Sequence, residues 1–161
     1  MTQEVCALPK PTSPVRLSDG LYVGPAPEAP DLIKLQAAGF RTIINNRPDT
    51  DQSLKLTSAE MAAQSAGLGI QYAHIPIEGT NPLEKDVKAF SDALNSCPHP
   101  IFAYCQSGGR SASLWALAAV GEHDTDTLIT MCRNIGFDVS GLRTKMDMRR
   151  EMLENGELDD D

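Results

Sequence analysis

Apolar positions along the chain change their period repeatedly, which indicates that strands alternate with helices. Short β-branched or aromatic runs occur at residues 42–45, 71–77 and 101–104, each bounded by glycine, proline or polar residues. Runs of this kind predict strands of a buried or half-buried sheet. Between two of them, apolar residues recur at the spacing of an amphipathic helix that packs on a sheet. That helical spacing is carried by Leu83, Val87, Phe90 and Leu94.

The other elements follow from turn and cap residues. Residues 15–17 and 21–23 flank the turn dipeptide Asp19-Gly20 and predict a hairpin. A first helix is predicted to begin near Pro30, to carry an apolar set and to end at Gly39. The apolar set comprises Leu32, Ile33 and Leu35. Further helices are predicted at 58–66, with Thr57 or Ser58 as the cap, and at 111–120, 124–134 and 142–153.

Strands that alternate with helices predict an α/β fold of three layers, with a mostly parallel central sheet and helices on both faces. We expect one domain over residues 15–153, because 161 residues are enough for a single core. Residues 1–14 hold three prolines and predict a flexible leader. Residues 154–161 hold five carboxylates and predict a disordered acidic tail.

Charge and composition exclude several classes of protein. The formal net charge is −8, but the predicted tail carries five of these charges, and the chain has no basic patch, so nucleic-acid binding is not expected. No apolar run reaches the length of a membrane span, and the first ten residues do not form a signal peptide. We therefore expect a cytoplasmic protein that has no membrane partner. The composition leaves the oligomeric state open.

The four cysteines lie at positions 6, 97, 105 and 132. None forms a Cys-x-x-Cys pair, and no histidine spacing completes a zinc pattern, so no metal site and no cofactor are expected. Without a secretion signal, reduced thiols are favoured over disulfides. We interpret Cys97 and Cys132 as structural and Cys6 as part of the leader.

Cys105 stands at the turn between a predicted strand and a predicted helix, and two glycines and an arginine follow it. The amides of such a turn and the N-terminus of the helix direct positive dipoles at the sulfur, which favours the nucleophilic thiolate. The same amides can hold an anion, and Arg110 adds a planar, permanently charged fork. The sequence thus predicts an oxyanion site, in which the binding residues are Gln106, Ser107, Gly108, Gly109 and Arg110.

The segment Cys105-Gln106-Ser107-Gly108-Gly109-Arg110-Ser111 resembles the active loop shared by cysteine-dependent phosphatases and rhodanese sulfurtransferases. Four residues separate Cys105 from Arg110, whereas the phosphatase loop has five, so the length is similar to the rhodanese loop. Tyr104 also stands where phosphatases usually carry histidine. The length of the loop by itself favours sulfur transfer.

The N-terminal half favours the other class, because it resembles the opening of dual-specificity phosphatases. From about Val15 to Leu142 the chain is identified as a member of DUF442, the phosphatase-like domain family of beta-lactamase-hydrolase-like proteins, some of which are labelled sulfur transferase. The matching segments are residues 44–49, 72–77, 103–111 and 114–117. The resemblance implies a cysteine-phosphatase-like fold and leaves the reaction divided between the two chemistries.

The resemblance also implies further catalytic residues. Similar phosphatases supply a general acid from a loop about thirty residues before the cysteine, and Glu78 is the carboxylate in that window. Asp49 and Asp51 are rival carboxylates on another loop. Ser111 corresponds to a hydroxyl that eases departure of the thiolate, although it could equally be a first-turn hydroxyl of the helix.

Three functions therefore stay open at the level of the sequence. The first is a cysteine-dependent hydrolase that cleaves phosphate monoesters of small molecules or proteins through a Cys105 phosphoenzyme. The second is a rhodanese-like sulfurtransferase that carries a persulfide on Cys105 between a sulfur donor and a thiol acceptor. The third is a module that binds oxyanions without catalysis.

Overall fold

The computed structural model describes residues 13–51, 54–79 and 81–158. Its sheet has five strands in the order β1-β2-β5-β3-β4. The strands are β1 (Val15–Ser18), β2 (Leu21–Pro25), β3 (Thr42–Asn45), β4 (Gln71–His74) and β5 (Ile101–Cys105). β1 and β2 form the expected antiparallel hairpin, and the remaining pairs are parallel. β5 therefore lies at the centre of a mostly parallel sheet, with β2 and β3 on its two sides.

Among the described residues, six α-helices cover the sheet, and each connection between parallel strands contains a helix. The helices are α1 (Ala29–Ala37), α2 (Ser58–Gly67), α3 (Glu84–Ser96), α4 (Gly109–Ala118), α5 (Thr125–Arg133) and α6 (Arg143–Glu154), and a 3-10 turn at Ser140–Leu142 precedes α6. Side chains explain several of the starts. The Thr57 hydroxyl accepts a hydrogen bond from the Glu60 amide before α2, and the Asp124 carboxylate accepts one from the Thr127 amide before α5.

Side chains of β5 alternate between two hydrophobic cores. Ile101 and Ala103 point to the core built with α3, α4, α5 and α6, whereas Phe102 and Tyr104 point to the core built with α1 and α2. All five residues of β5 are buried. The three layers predicted from the sequence are confirmed, and by the same alternation Cys105 faces the layer that contains α4.

Two differences from the sequence prediction go beyond shifts of one or two residues at the ends of elements. β4 ends at His74 rather than at residue 77, although the amides of Ile75 and Ile77 still donate to the carbonyls of Asn45 and Asn46. Ile33 was expected in the apolar face of α1, but 59% of it is exposed, while Leu32 and Leu35 are buried.

The chain ends are only partly described. Glu154, predicted to begin the acidic tail, is the last residue of α6. Residues 1–12 of the leader, including Cys6, and residues 159–161 lie outside the described residues. Across the described ranges, no helix has the length and apolar character needed to cross a membrane.

Candidate active site

Cys105 is the last residue of the central strand, and its sulfur lies beneath the loop that leads into α4. The side chain is buried, at 2% exposure. Two backbone amides donate hydrogen bonds to its Sγ atom, from Gly108 at 3.1 Å and from Arg110 at 3.3 Å. The sulfur therefore lies at the N-terminus of α4, where backbone N–H groups stabilise negative charge.

Gly108 determines the shape of the loop. It has a φ of 112°, a left-handed conformation that strongly favours glycine. A Cβ atom at this position would lie 2.7 Å from the Phe137 ring and 3.1 Å from the backbone of Gly24. Gly109 has no such constraint, because the nearest atom to a Cβ there is 3.8 Å away. The backbone conformation therefore requires glycine at position 108 and not at position 109.

The Arg110 guanidinium joins three loops at the carboxyl ends of the parallel strands. Its Nη2 donates to Asp51 Oδ2 at 2.6 Å, and its Nη1 donates to the Ile77 carbonyl oxygen at 2.9 Å. Asp51 follows β3, and Ile77 follows β4. Burial by itself lowers the pKa of Arg110, but the hydrogen bond and charge of Asp51 outweigh burial, so the pKa is raised. Arg110 is therefore a fixed cation beside the Cys105 sulfur.

Asp51 is shared between two arginines. Its Oδ2 also accepts a hydrogen bond from Arg47 Nε at 3.0 Å, and Arg47 is 5% exposed. Burial raises the pKa of the Asp51 carboxyl. The hydrogen bonds and charges of Arg110 and Arg47 lower that pKa by more than burial raises it, so the net shift is downward. In this arrangement Asp51 is a carboxylate and not a proton donor at neutral pH.

Ser111, predicted to assist the departure of the thiolate, is fully buried in the first turn of α4. Its hydroxyl lies 2.7 Å from Asn46 Oδ1 and donates to it. The Asn46 amide nitrogen donates to the Ile75 carbonyl oxygen at 2.8 Å, which leaves its oxygen to accept the bond from Ser111. The Ser111 proton is thus directed to Asn46, and the sulfur receives its hydrogen bonds from backbone amides.

An open cleft of about 950 Å³ lies above the sulfur. Every residue of the predicted oxyanion loop except Gly108 lines it, and so does Asp51. The opposite wall is formed by residues that follow α5 and precede α6. These wall residues are Phe137, Asp138, Val139, Gly141 and Leu142. The cleft combines a cysteine, an arginine and loop amides, which can hold a tetrahedral anion against the sulfur.

Glu78, the predicted general acid, lies outside this cleft. It is exposed and lines a neighbouring groove with Asp49, whereas the next residue, Gly79, lines the cleft. Asp49 accepts a hydrogen bond from the Ser58 amide at the start of α2, which gives it a structural contact. Of the three carboxylates considered from the sequence, Asp51 is the one that lines the cleft. The role of Glu78 as general acid stays a prediction.

The remaining cysteines of the described residues are separate from the cleft. Cys132 is fully buried in α5, and burial raises its pKa to about 12. Cys97 is partly exposed at the end of α3. Tyr104, where phosphatases usually carry histidine, is buried beside Phe102 on the opposite face of the sheet.

Sequence reasoning missed two features of this site. The role of Asn46 depends on a contact with Ser111 across 65 positions, although Asn46 lay within a segment that matched the family. The wall at residues 137–142 had no local signal, because it carries neither a catalytic motif nor a regular periodicity.

The protein belongs to the class of proteins that have the cysteine-phosphatase fold. The structure of the kinase associated phosphatase superposes with a TM-score of 0.70 at 15% sequence identity, covering 94% of this chain and 98% of that one. A Neisseria meningitidis Z2491 protein, provisionally assigned as a phosphatase, superposes with a TM-score of 0.74 at 26% identity. That match covers 84% of this chain and 96% of the Neisseria chain.

The chain belongs to the family described as beta-lactamase hydrolase-like protein, phosphatase-like domain, whose model matches residues 15–122. This confirms the family that the sequence resembled. A relative named beta-lactamase hydrolase-like protein, from Agrobacterium fabrum (strain C58), is 29% identical over 127 residues. The match covers 78% of this chain and 30% of that protein, so the chain spans less than a third of this relative's length. The domain is therefore phosphatase-like.

Proposed function

We propose that this domain hydrolyses phosphate monoesters through a covalent Cys105 intermediate. The observation that supports this most is the convergence of the Gly108 and Arg110 amides on the Cys105 sulfur, at 3.1 and 3.3 Å. The thiolate attacks phosphorus, the S–P bond forms, and the bond from phosphorus to the leaving oxygen breaks. Water then attacks phosphorus, the S–P bond breaks, and phosphate and the thiolate are released.

In this proposal, Arg110 and the loop amides bind the oxygens of the phosphoryl group. Donors that are already oriented in the free protein stabilise charge in the transition state without reorganisation. The guanidinium is oriented by Asp51 and by the Ile77 carbonyl, which makes Asp51 a positioning residue. The proposed reaction needs no metal ion, because Arg110 and the loop amides supply the positive charge that faces the phosphoryl oxygens.

The first experiment compares phosphate ester hydrolysis with sulfur transfer. The native protein and a Cys105→Ser variant are assayed with phenyl phosphate, and separately with thiosulfate plus cyanide. We expect release of phosphate from the ester by the native protein, and loss of that activity by at least about 10³-fold in the variant, because the nucleophile is removed. Phosphate release that survives in Cys105→Ser would contradict the proposal.

Sulfur transfer is the second candidate, and the length of the loop favours it. Only four residues separate Cys105 from Arg110, and the Asp51 carboxylate in the cleft has a lowered pKa, which suits a reaction that needs little proton donation. Inserting one glycine between Gly109 and Arg110 restores the phosphatase spacing. Under the hydrolase proposal this variant should hydrolyse phosphate monoesters faster than the native protein and lose any sulfur transfer. Efficient sulfur transfer by the native protein, with an inactive insertion variant, would favour the sulfurtransferase.

The proton donor is tested by comparing Glu78→Gln with Asp51→Asn. If Glu78 protonates the leaving oxygen, Glu78→Gln should remove the basic limb of the pH profile and slow esters of poor leaving groups most. Asp51→Asn should instead weaken phosphate binding at every pH, because Arg110 loses the partner that orients it. Measurement of kcat and kcat/KM between pH 5 and 9 separates the two. If the Glu78→Gln variant retains the basic limb of the pH profile, Glu78 is not the proton donor.

A further inference from the structure

One wall of the cleft is formed by the segment between α5 and α6. Phe137 and Val139 of this segment are buried, while Asp138 between them is exposed at the cleft. The Phe137 ring contacts the loop at Gly108 so closely that no Cβ fits between them. The wall is therefore held against the phosphate-binding loop, and Asp138 is held at a fixed place beside the site.

The charges that line the cleft are unequal. Among the described residues that line it, Arg110 is the one cation, and Asp51 and Asp138 are the carboxylates. Asp138 accepts a hydrogen bond from the Ser140 amide at 2.9 Å, which keeps the pKa of Asp138 below its usual range. When a phosphoryl group occupies Arg110, Asp51 keeps its bond to Arg47, whereas Asp138 faces the leaving group without a cation among the described residues that line the cleft.

Two basic residues lie near the mouth of the cleft but do not reverse this balance. The Lys145 amino group donates to the Asn81 side chain at 2.7 Å and to the Pro82 carbonyl oxygen, so it is held at the rim. Arg133 is exposed and acts on Asp138 through its charge alone. The chain as a whole carries a net charge of −8. A ligand that brings further negative charge would meet repulsion at long range and in the cleft.

We propose that the cleft selects phosphate monoesters whose leaving group is uncharged or cationic, and that Asp138 is the residue that rejects polyanionic substrates. This inference rests on the proposed hydrolase function. A second phosphate or an acidic flank on the substrate would lie against the Asp138 carboxylate, and like charges placed together discriminate between ligands. The natural substrate is then neither a polyphosphate nor an acidic phosphopeptide.

The test uses three probes: phenyl phosphate, a phosphotyrosine peptide flanked by lysines, and the same peptide flanked by glutamates. We expect the native protein to prefer the basic peptide over the acidic one by about tenfold in kcat/KM, since like charges that lie close together near a protein surface repel each other. Asp138→Asn keeps the oxygen that accepts from Ser140, so the turn is preserved. It should reduce the preference about fivefold, and phenyl phosphate, whose leaving group carries no further phosphate or peptide charge, reports any general change in turnover.

Glu122→Gln is the matched control, because it removes one exposed negative charge beside a different pocket. It should leave the preference for the basic peptide unchanged. Raising the salt concentration should reduce the preference in the native protein, as screening weakens interactions between charges. A native preference near one, or equal effects of Asp138→Asn and Glu122→Gln, would overturn the inference.

Binding to Cys105→Ser separates this inference from the hydrolase proposal. This variant cannot form the S–P bond, so the dissociation constants of the two peptides give the preference without turnover. Absence of hydrolysis with all three probes, together with tighter binding of the basic peptide, overturns the hydrolase proposal and retains the charge selectivity. Hydrolysis of all three at similar rates, with equal affinities, overturns the selectivity alone.

Discussion

Gly108 and Gly109 are adjacent in the loop, but the structure places different demands on them. Gly108 has a positive φ and leaves no space for a Cβ atom, whereas Gly109 begins α4 with an open surrounding. A side chain at Gly108 would have to displace the backbone of Gly24 or Phe137, which lines the cleft. The identity of the residue therefore matters at one of these two positions far more than at the other.

The two alanine variants form a matched pair. Gly108→Ala should lower the free energy of unfolding by about 1–3 kcal/mol, because it combines backbone strain with a close contact. Gly109→Ala should leave stability unchanged or raise it by about 0.5–1 kcal/mol, because alanine is favoured over glycine in a helix. Urea denaturation measures both. Equal losses in the two variants would contradict the role assigned to Gly108.

At the scale of residues, the sequence predicted what is local and missed what is distant. The loop from Cys105 to Arg110 was found because its chemistry and its strand-to-helix setting lie within a few positions. Asp51 reaches Arg110 across 59 positions, and its neighbour Asp49 has the same side chain. Only the course of the backbone after β3 determines that Asp51, and not Asp49, faces the cleft.

At the scale of elements, the N-terminus of α4 directs two backbone amides at the Cys105 sulfur. The other described cysteines lack this setting, because Cys132 is buried within α5 and Cys97 follows the end of α3. We expect iodoacetamide at neutral pH to alkylate Cys105 faster than Cys97 and much faster than Cys132. Peptide mass spectrometry over time gives the three rates.

Inorganic phosphate supplies the control for this experiment. It should slow the alkylation of Cys105 by occupying the anion site above the sulfur, and it should leave the rate at Cys97 unchanged. Similar rates at all three cysteines, or protection by phosphate at none of them, would contradict an activating role for the helix.

Most helices and strands were predictable from the sequence. They depend on turn and cap residues close in sequence and on hydrophobic positions that recur with a regular period. The differences arise where tertiary contacts override the local pattern. The sequence after β4 has the pattern of a strand that continues. In the structure the Asn46 side chain donates a hydrogen bond to the Ile75 carbonyl oxygen, and β4 ends at His74. Ile33 fits the apolar pattern of α1, yet the sheet covers only the neighbouring face.

At the scale of the whole molecule, an ion pair joins helices that are distant in sequence. Arg149 of α6 is 7% exposed and donates to both carboxylate oxygens of Glu84 in α3, each at 3.0 Å. It also donates to the Leu117 carbonyl oxygen near the end of α4. Arg149 thus ties α3, α4 and α6 together at the end of α4 opposite the Cys105 loop.

Removal of Glu84 should therefore weaken the fold without touching the chemistry. Glu84→Gln should cost about 1–2 kcal/mol, less than a fully buried pair, because the Glu84 side chain is 46% exposed. Asp126→Asn is the control, since it breaks an exposed pair with Arg143 and should change stability by less than about 0.5 kcal/mol. Thermal denaturation and the alkylation rate of Cys105 are measured together. A slower alkylation in folded Glu84→Gln would show that the pair also shapes the site.

The buried bond between Ser111 and Asn46 has a consequence for how this sequence can diverge. Neither side chain is exposed, so a change at one position leaves a polar atom of the other without a partner inside the protein. Substitutions at positions 46 and 111 should therefore be tolerated as compensating pairs rather than singly. The loop after β3, which carries Asp51, and the loop that carries Cys105 are thereby expected to evolve as one unit.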